Sequence, residues 1–171
     1  RFTGNTQDVT RIETNLIENV QRTQVNTHFN WYDPLAQSFM VSQNEYPDGL
    51  FITGGDLYFK TKDNRAPVTG QIRTMRDGSP TTTILPFGQT EIDSSNVNVS
   101  DDASAITEFE FDTPVYLQTG HEYAIVLITE TEKYLTWITR MGEEDVLLNS
   151  ISNTQPYLGS LFKSQNSSTW T

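Results

Sequence analysis

Residues 107–111 read Thr-Glu-Phe-Glu-Phe, which sets Phe109 and Phe111 on one side of an extended chain and Glu108 and Glu110 on the other. A strict two-residue period belongs to a strand with one face in a core and one in water; a helix would scatter these residues around its axis. Similar short apolar runs recur from Asp33-Pro34 onward, separated by turn signals, as in an all-β domain. Proline fixes its own φ and pushes the residue before it into an extended conformation, so the domain is expected to begin near Asp33.

About eight strands are expected. The first spans 36–41 and leads through the Pro47-Asp48-Gly49 turn to the second at 50–62, with Gly54-Gly55 as a bulge or bend. The third, 68–75, ends at Asp77-Gly78 and gathers Gln71 and Arg73 on one face, as a half-buried strand would. Residues 79–93, rich in turn formers, read as a loop. A short piece at 97–99, the alternating run at 107–111 and residues 114–117 follow. Residues 122–129, apolar on both faces, read as a central strand. The charged turn 130–133 then makes 134–140 the hairpin partner of that strand. Leu158, Leu161 and Phe162 mark a last strand in 151–171. Two sheets packed face to face bury these alternating sets without a helix, so residues 33–171 are expected to form an antiparallel β-sandwich, jelly-roll-like in kind.

Residues 1–32 read as an arm. Val9, Ile12, Leu16 and Val20 recur at spacings of three and four and would line one face of a short helix, while the Thr, Asn and Gln between them suit an extended arm equally well. In either form the segment is too short to bury its apolar stripe alone, and it calls for a partner in the sandwich or in another chain. The chain opens on Arg1 and ends at Thr171 within a polar run, and it is expected to be a piece of a longer protein.

Eleven Lys and Arg stand against 22 Asp and Glu, a net charge of -11 that repels a phosphate backbone and an anionic membrane surface alike. No apolar run approaches the roughly 20 residues that span a bilayer. There is no cysteine to form a disulfide or a thiolate–metal site. Nucleic acid and membrane insertion are therefore not expected.

The run Asp33-Pro34-Leu35-Ala36-Gln37-Ser38-Phe39 resembles a motif of tail, baseplate and fibre-associated structural proteins of contractile-tailed bacteriophages. The resemblance continues through Phe51-Ile52 and Leu57-Tyr58-Phe59-Lys60, then Gln71-Ile72-Arg73 with Gly78 and Pro80, and on through Pro114-Val115-Tyr116-Leu117 and Glu122-Tyr123-Ala124. It closes on Gly159-Ser160-Leu161-Phe162-Lys163-Ser164-Gln165-Asn166 with Thr169-Trp170. It implies a virion building block that contacts other virion proteins or copies of itself, without a cofactor and without a reaction. Residues 1–30 lie outside the resemblance.

The residues themselves point the same way on catalysis. His28 and His121 have no nucleophile or carboxylate at a telling spacing, and neither a phosphate loop nor a His-Glu-x-x-His pair is present. The pairs and runs Asp101-Asp102 and Glu143-Glu144-Asp145 are the acids to weigh for glycoside hydrolysis or calcium; adjacent acids on loops are more often simply solvated. No catalytic, cofactor-binding or metal-ligating residue is assigned. The rival function is adhesion to a host-surface glycan, since sugar faces stack on exposed aromatics; Trp31, Tyr32, Tyr134, Trp137 and Trp170 are the residues to weigh. Core packing is favoured over stacking for Trp137, and Trp31-Tyr32 would pin the arm. The sequons at Asn98 and Asn166 carry no weight in a phage protein.

Overall fold

The structure, a computed structural model, describes residues 34–138 and 159–171. The arm at 1–32, with His28, Trp31 and Tyr32, and the acids Glu143, Glu144 and Asp145 lie outside the described residues. Among the described residues eight strands form two antiparallel sheets packed face to face, the β-sandwich that the alternation demands. They are β1 (Leu35–Met40), β2 (Leu50–Thr61), β3 (Val68–Arg76), β4 (Ser79–Ile92), β5 (Ile106–Leu117), β6 (Glu122–Thr129), β7 (Leu135–Thr136) and β8 (Leu161–Lys163). One sheet has the order β4-β3-β6-β1-β8 and the other β5-β2-β7.

Residues that alternate in sequence supply the core between the sheets. Phe109, Phe111, Val115 and Leu117 point inward from β5, Phe59 from β2, Val68 and Ile72 from β3, and Tyr123 from β6. Phe109 and Phe111 meet edge to face with ring centroids 5.6 Å apart, a favoured aromatic geometry. β6 lies in the middle of the five-stranded sheet and is apolar on both faces, as expected: Tyr123 joins the inner core, while Ala124, Val126 and Ile128 belong to a second cluster. Asp77 and Gly78 both take positive φ, 52° and 75°, and close the β3–β4 hairpin as an Asp-Gly turn should.

Three expectations need correction. Residues 79–93 are not a loop: Ser79–Ile92 is a 14-residue strand at the edge of the larger sheet. Pro80 and Pro86 suggest otherwise, yet an edge strand has ladder positions with no donor to supply, and the register shifts between Gln71↔Gln89 and Arg73↔Ile84, so that 85–88 bulges out of the ladder. Leu135–Thr136 does not pair with β6. The charged turn carries the chain across to the other sheet, where β7 pairs with β2 (Phe59↔Thr136, Thr61↔Leu135). Residues 107–111 and 114–117 are one strand, interrupted opposite Gly54 where the β2–β5 register jumps.

The polar face of β3 also behaves unexpectedly. Gln71 and Arg73 are 5% and 3% exposed, covered by the C-terminal residues. Strand β8 lies against β1, and the chain then turns back so that Lys163 and Thr171 exchange backbone hydrogen bonds. An Asx-type turn holds this return: the Asn166 side-chain oxygen accepts from the Ser168 and Thr169 amides, and Ser164 Oγ donates to the Thr169 carbonyl at 2.6 Å. Trp170 thereby packs with Ala36, Ala124, Val126 and Ile128 in the second apolar cluster. Above it, Arg73 donates from Nη1 to the Ser167 carbonyl (2.6 Å) and from Nε and Nη2 to Gln71 Oε1 (2.8 and 2.6 Å), while Gln71 Nε2 donates to Gln89 Oε1. Burial weakens the hold of this guanidinium on its proton, but its donors are satisfied. Gly159 is required by a close approach: a Cβ there would overlap the Ser38 carbonyl oxygen, where the Ser38 amide donates to the Ser160 carbonyl.

The Arg73→Met variant is predicted to lose about 2 kcal/mol in urea unfolding, because Gln71 and Ser167 keep buried acceptors without their donor. The exchange protection of the Lys163 and Thr171 amides should fall more than that of the β6 amides. Gly159→Ala is predicted to separate β1 from the approaching chain and lower the thermal midpoint.

Candidate interaction site at the open side of the sandwich

The two sheets have unequal width, and the core closes on one side only. Next to β4 and β5, Ile92, Val97, Phe109 and Phe111 fill the space between the sheets. On the other side the edges are β8, three residues long, and β7, two residues long. Cross-strand rows on the inner face of the larger sheet, Leu161–Gln37–Ile125 and Lys163–Leu35–Leu127, run out past the cover of the smaller one. Leu57 and residues 136–138 stand opposite them.

The result is a seam of about 490 Å³ whose apolar lining includes Leu35, Leu57, Ile125, Leu127, Trp137 and Leu161, with Ile138 at its mouth. It continues into a hollow of about 260 Å³ beside Tyr134 and Leu135. Cavities of this size take bound groups well beyond a single aromatic ring. Leu135, Ile138 and Leu161 are exposed around the opening, so the apolar surface reaches solvent. Lys163 is the charged group at the rim.

An electrostatic brace positions the β7 side of the seam. Asp63, in the β2–β3 connection, accepts from Lys133 Nζ at 2.9 Å, from the Arg65 amide at 2.8 Å and from Thr131 Oγ1 at 3.2 Å. The hydrogen bond from Lys133, then that from the Arg65 amide, hold its carboxyl at about 2, below the ordinary 3.8. Tyr134 packs edge to face on Phe59 and donates to the Ala66 carbonyl at 2.6 Å; burial, then the nearby Asp63 carboxylate, raises its pKa. The turn that delivers β7 to the smaller sheet is thus tied to the β2–β3 connection by a charge and a phenol.

The residues singled out by sequence are dispersed. His121 is exposed and donates from Nδ1 to the nearby Thr119 carbonyl; no carboxylate or nucleophile joins it. Asp102 turns back onto Ser104, whose hydroxyl and amide hold its carboxyl below the ordinary range. No group of three or more His, Cys, Asp or Glu able to hold a metal is found among the described residues. Tyr134 and Trp170 are packing residues. Trp137 is not in the core: it lies beside Lys60, whose Nζ is 5.2 Å from the ring centroid, and its Nε1 donates to the Ser100 carbonyl.

Two exposed features escaped the sequence reading. Phe51 and Tyr116, opposite each other in the β2–β5 register, form a pair 5.1 Å apart on the outer face of the smaller sheet, with Phe51 68% exposed. Phe87, in the bulge of β4, is 66% exposed and has φ of 62°. The alternation of β2 carries a signal for Phe51, which lies one position out of phase with Leu50 and Ile52. Nothing in the sequence distinguishes Phe87 from a loop residue. No family model, curated protein sequence or solved structure significantly matches the chain.

The sign of the Asp63 contribution to stability follows from its depressed pKa. It is fully present above 3.8 and is lost as pH falls through about 2. The urea midpoints of the parent protein and Asp63→Asn are therefore predicted to differ at pH 6 and to converge as pH falls from 4 toward 2. A constant difference across that window would show that the brace is not ionic.

Proposed function

We propose that this domain is a structural module of a bacteriophage virion, in the tail or baseplate region, that works through protein–protein contacts and not through catalysis. The observation that carries the reading is the apolar seam, with side chains from both sheets only partly covered by the described residues at one side of the core. Apolar surface exposed in this way is stabilised by a protein neighbour. The phage placement is supported by the motif resemblance, which is independent of the seam. The motif residues serve construction: Arg73, held by Gln71, binds the C-terminal turn, Ser38 holds Ser160, and Trp170 closes the second cluster. None of them supplies a nucleophile beside a base.

The test is the location of this domain in an assembled particle by cryo-electron microscopy. The expected map has density from another protein chain in the seam between Leu57 and Leu161. A domain standing clear of all neighbours, its seam filled by solvent, would overturn the assembly reading.

A second reading, adhesion to a host-surface glycan, is favoured by the Phe51–Tyr116 pair. The two rings are exposed on a flat sheet face, and Tyr116 is fixed by donating to the Asp48 carbonyl at 3.0 Å. Exposed rings held in this way can stack on sugar C–H faces. This reading predicts glycan-array binding by the intact protein that Phe51→Ala/Tyr116→Ala abolishes while the thermal midpoint is retained; an array without signal above the denatured protein removes it.

A further inference from the structure

We infer that the partner of the seam is a second copy of this chain, with Phe87 of one copy inserted between the sheets of the next. The inference rests on the assembly reading above and names the occupant. Phe87 is a bulky residue with φ of 62°, a region where an L side chain with a Cβ is strained. The rest of its bulge explains how it is held there. Leu85 packs onto the inner core, and Gly88 is buried so closely that a Cβ would crowd Ile72 and the Leu85 carbonyl. With both flanks drawn inward, the chain between them turns outward, and Phe87 projects into solvent with no ring partner among the described residues. Strain and exposed apolar area at one position both oppose the isolated fold. Such a combination persists where the outward geometry serves a contact.

The receiving site is present on the same molecule. The seam is open, apolar, and at about 490 Å³ larger than one phenyl ring needs. It also lies at the opposite edge of the same sheet: Phe87 is on β4, and the seam is bordered by β1 and β8, in the order β4-β3-β6-β1-β8. Four strand spacings separate the two edges, about 19 Å. A knob on one edge and a hole on the opposite edge face different sides of the sheet, so a head-to-tail contact seats both, whereas a two-fold contact would require them to share one face. They join copies head to tail, and such a contact closes into a ring or runs on as a filament. Charge agrees with this direction of docking. Lys163 stands at the seam and Glu91 on the bulged strand, and neither has an ion-pair partner among the described residues.

The chain contains no cysteine, so introduced thiols report contact directly. Phe87→Cys and Leu161→Cys, prepared separately and mixed under mild oxidation, are expected to give a disulfide-linked heterodimer well above the yield from Thr82→Cys mixed with Leu161→Cys. Sedimentation velocity of the parent protein, up to about 1 mM to match a tethered neighbour, is expected to show species larger than the monomer. Phe87→Asn, which tolerates positive φ, should remove those species and raise the thermal midpoint, a pairing that loss of folding cannot produce. A parent protein that stays monomeric, or a heterodimer yield no greater than the control, overturns the self-contact. A particle in which a different protein fills the seam also overturns it and leaves the assembly reading standing, whereas a solvent-filled seam overturns both.

Discussion

The buried guanidinium of Arg73 ties the C-terminal turn to the five-stranded sheet. It lies on β3, early in the chain, and its donors reach Gln71 on the same strand and the Ser167 carbonyl in the C-terminal turn. A cation in an apolar setting is costly unless its hydrogen bonds are made, and here neutral oxygens, not a carboxylate, satisfy it. This choice of acceptor has a structural consequence. Gln71 Oε1 serves two donors of Arg73 and its amide continues to Gln89, so β3, β4 and the C-terminal turn are linked by one chain of hydrogen bonds. Beneath it, Trp170 and β6 form an apolar layer on the outside of the five-stranded sheet. The sheet therefore has a core on each face, although the described residues form two sheets.

This second layer explains where sequence reasoning succeeds and where it stops. Residues 107–111 and 122–129 are legible because their side chains record their own surroundings: alternation for β5, apolar on both sides for β6. For β3 the same logic misleads. Gln71 and Arg73 look like a solvated face, and their cover comes from residues about 90 positions further on. A strand's own sequence shows what is polar, not whether a distant segment carries matching acceptors. In β4 the prolines and Gly88 resemble a loop because both loops and edge bulges tolerate missing ladder bonds. The β7 error is topological: a charged turn after β6 permits either a hairpin or a crossing to the other sheet, and the Asp63–Lys133 brace that favours the crossing joins residues far apart in sequence.

The seam follows from strand count and was not legible for the same kind of reason. Leu35, Ile125 and Leu127 are ordinary inward-facing strand residues, and among the described residues the shortness of β7 and β8 leaves them partly covered. A pattern of apolar residues predicts a core face without predicting how wide the opposing sheet will be. The bulge at Phe87 adds to this limit, since its exposure depends on how Leu85 and Gly88 pack, not on residue type.

The strand edges decide what kind of contact this domain can make. Long exposed edges invite backbone pairing, and β4 and β5, with 14 and 12 residues, are the edges at risk. β4 is interrupted by Pro86 and its bulge. β5 carries Glu108 and Glu110 on its outer face, with Asp56 directly across from Glu108, and breaks register before Pro114. Like charges set opposite each other cost stability, and that cost is consistent with an edge kept from extending the sheet. At the other side, β7 and β8 are too short to template a strand. With backbone pairing discouraged at these edges, exposed side chains such as those of the seam, the β4 bulge and the Phe51–Tyr116 pair are the surfaces left for contact, and such contacts depend on shape where strand addition would depend on the ladder.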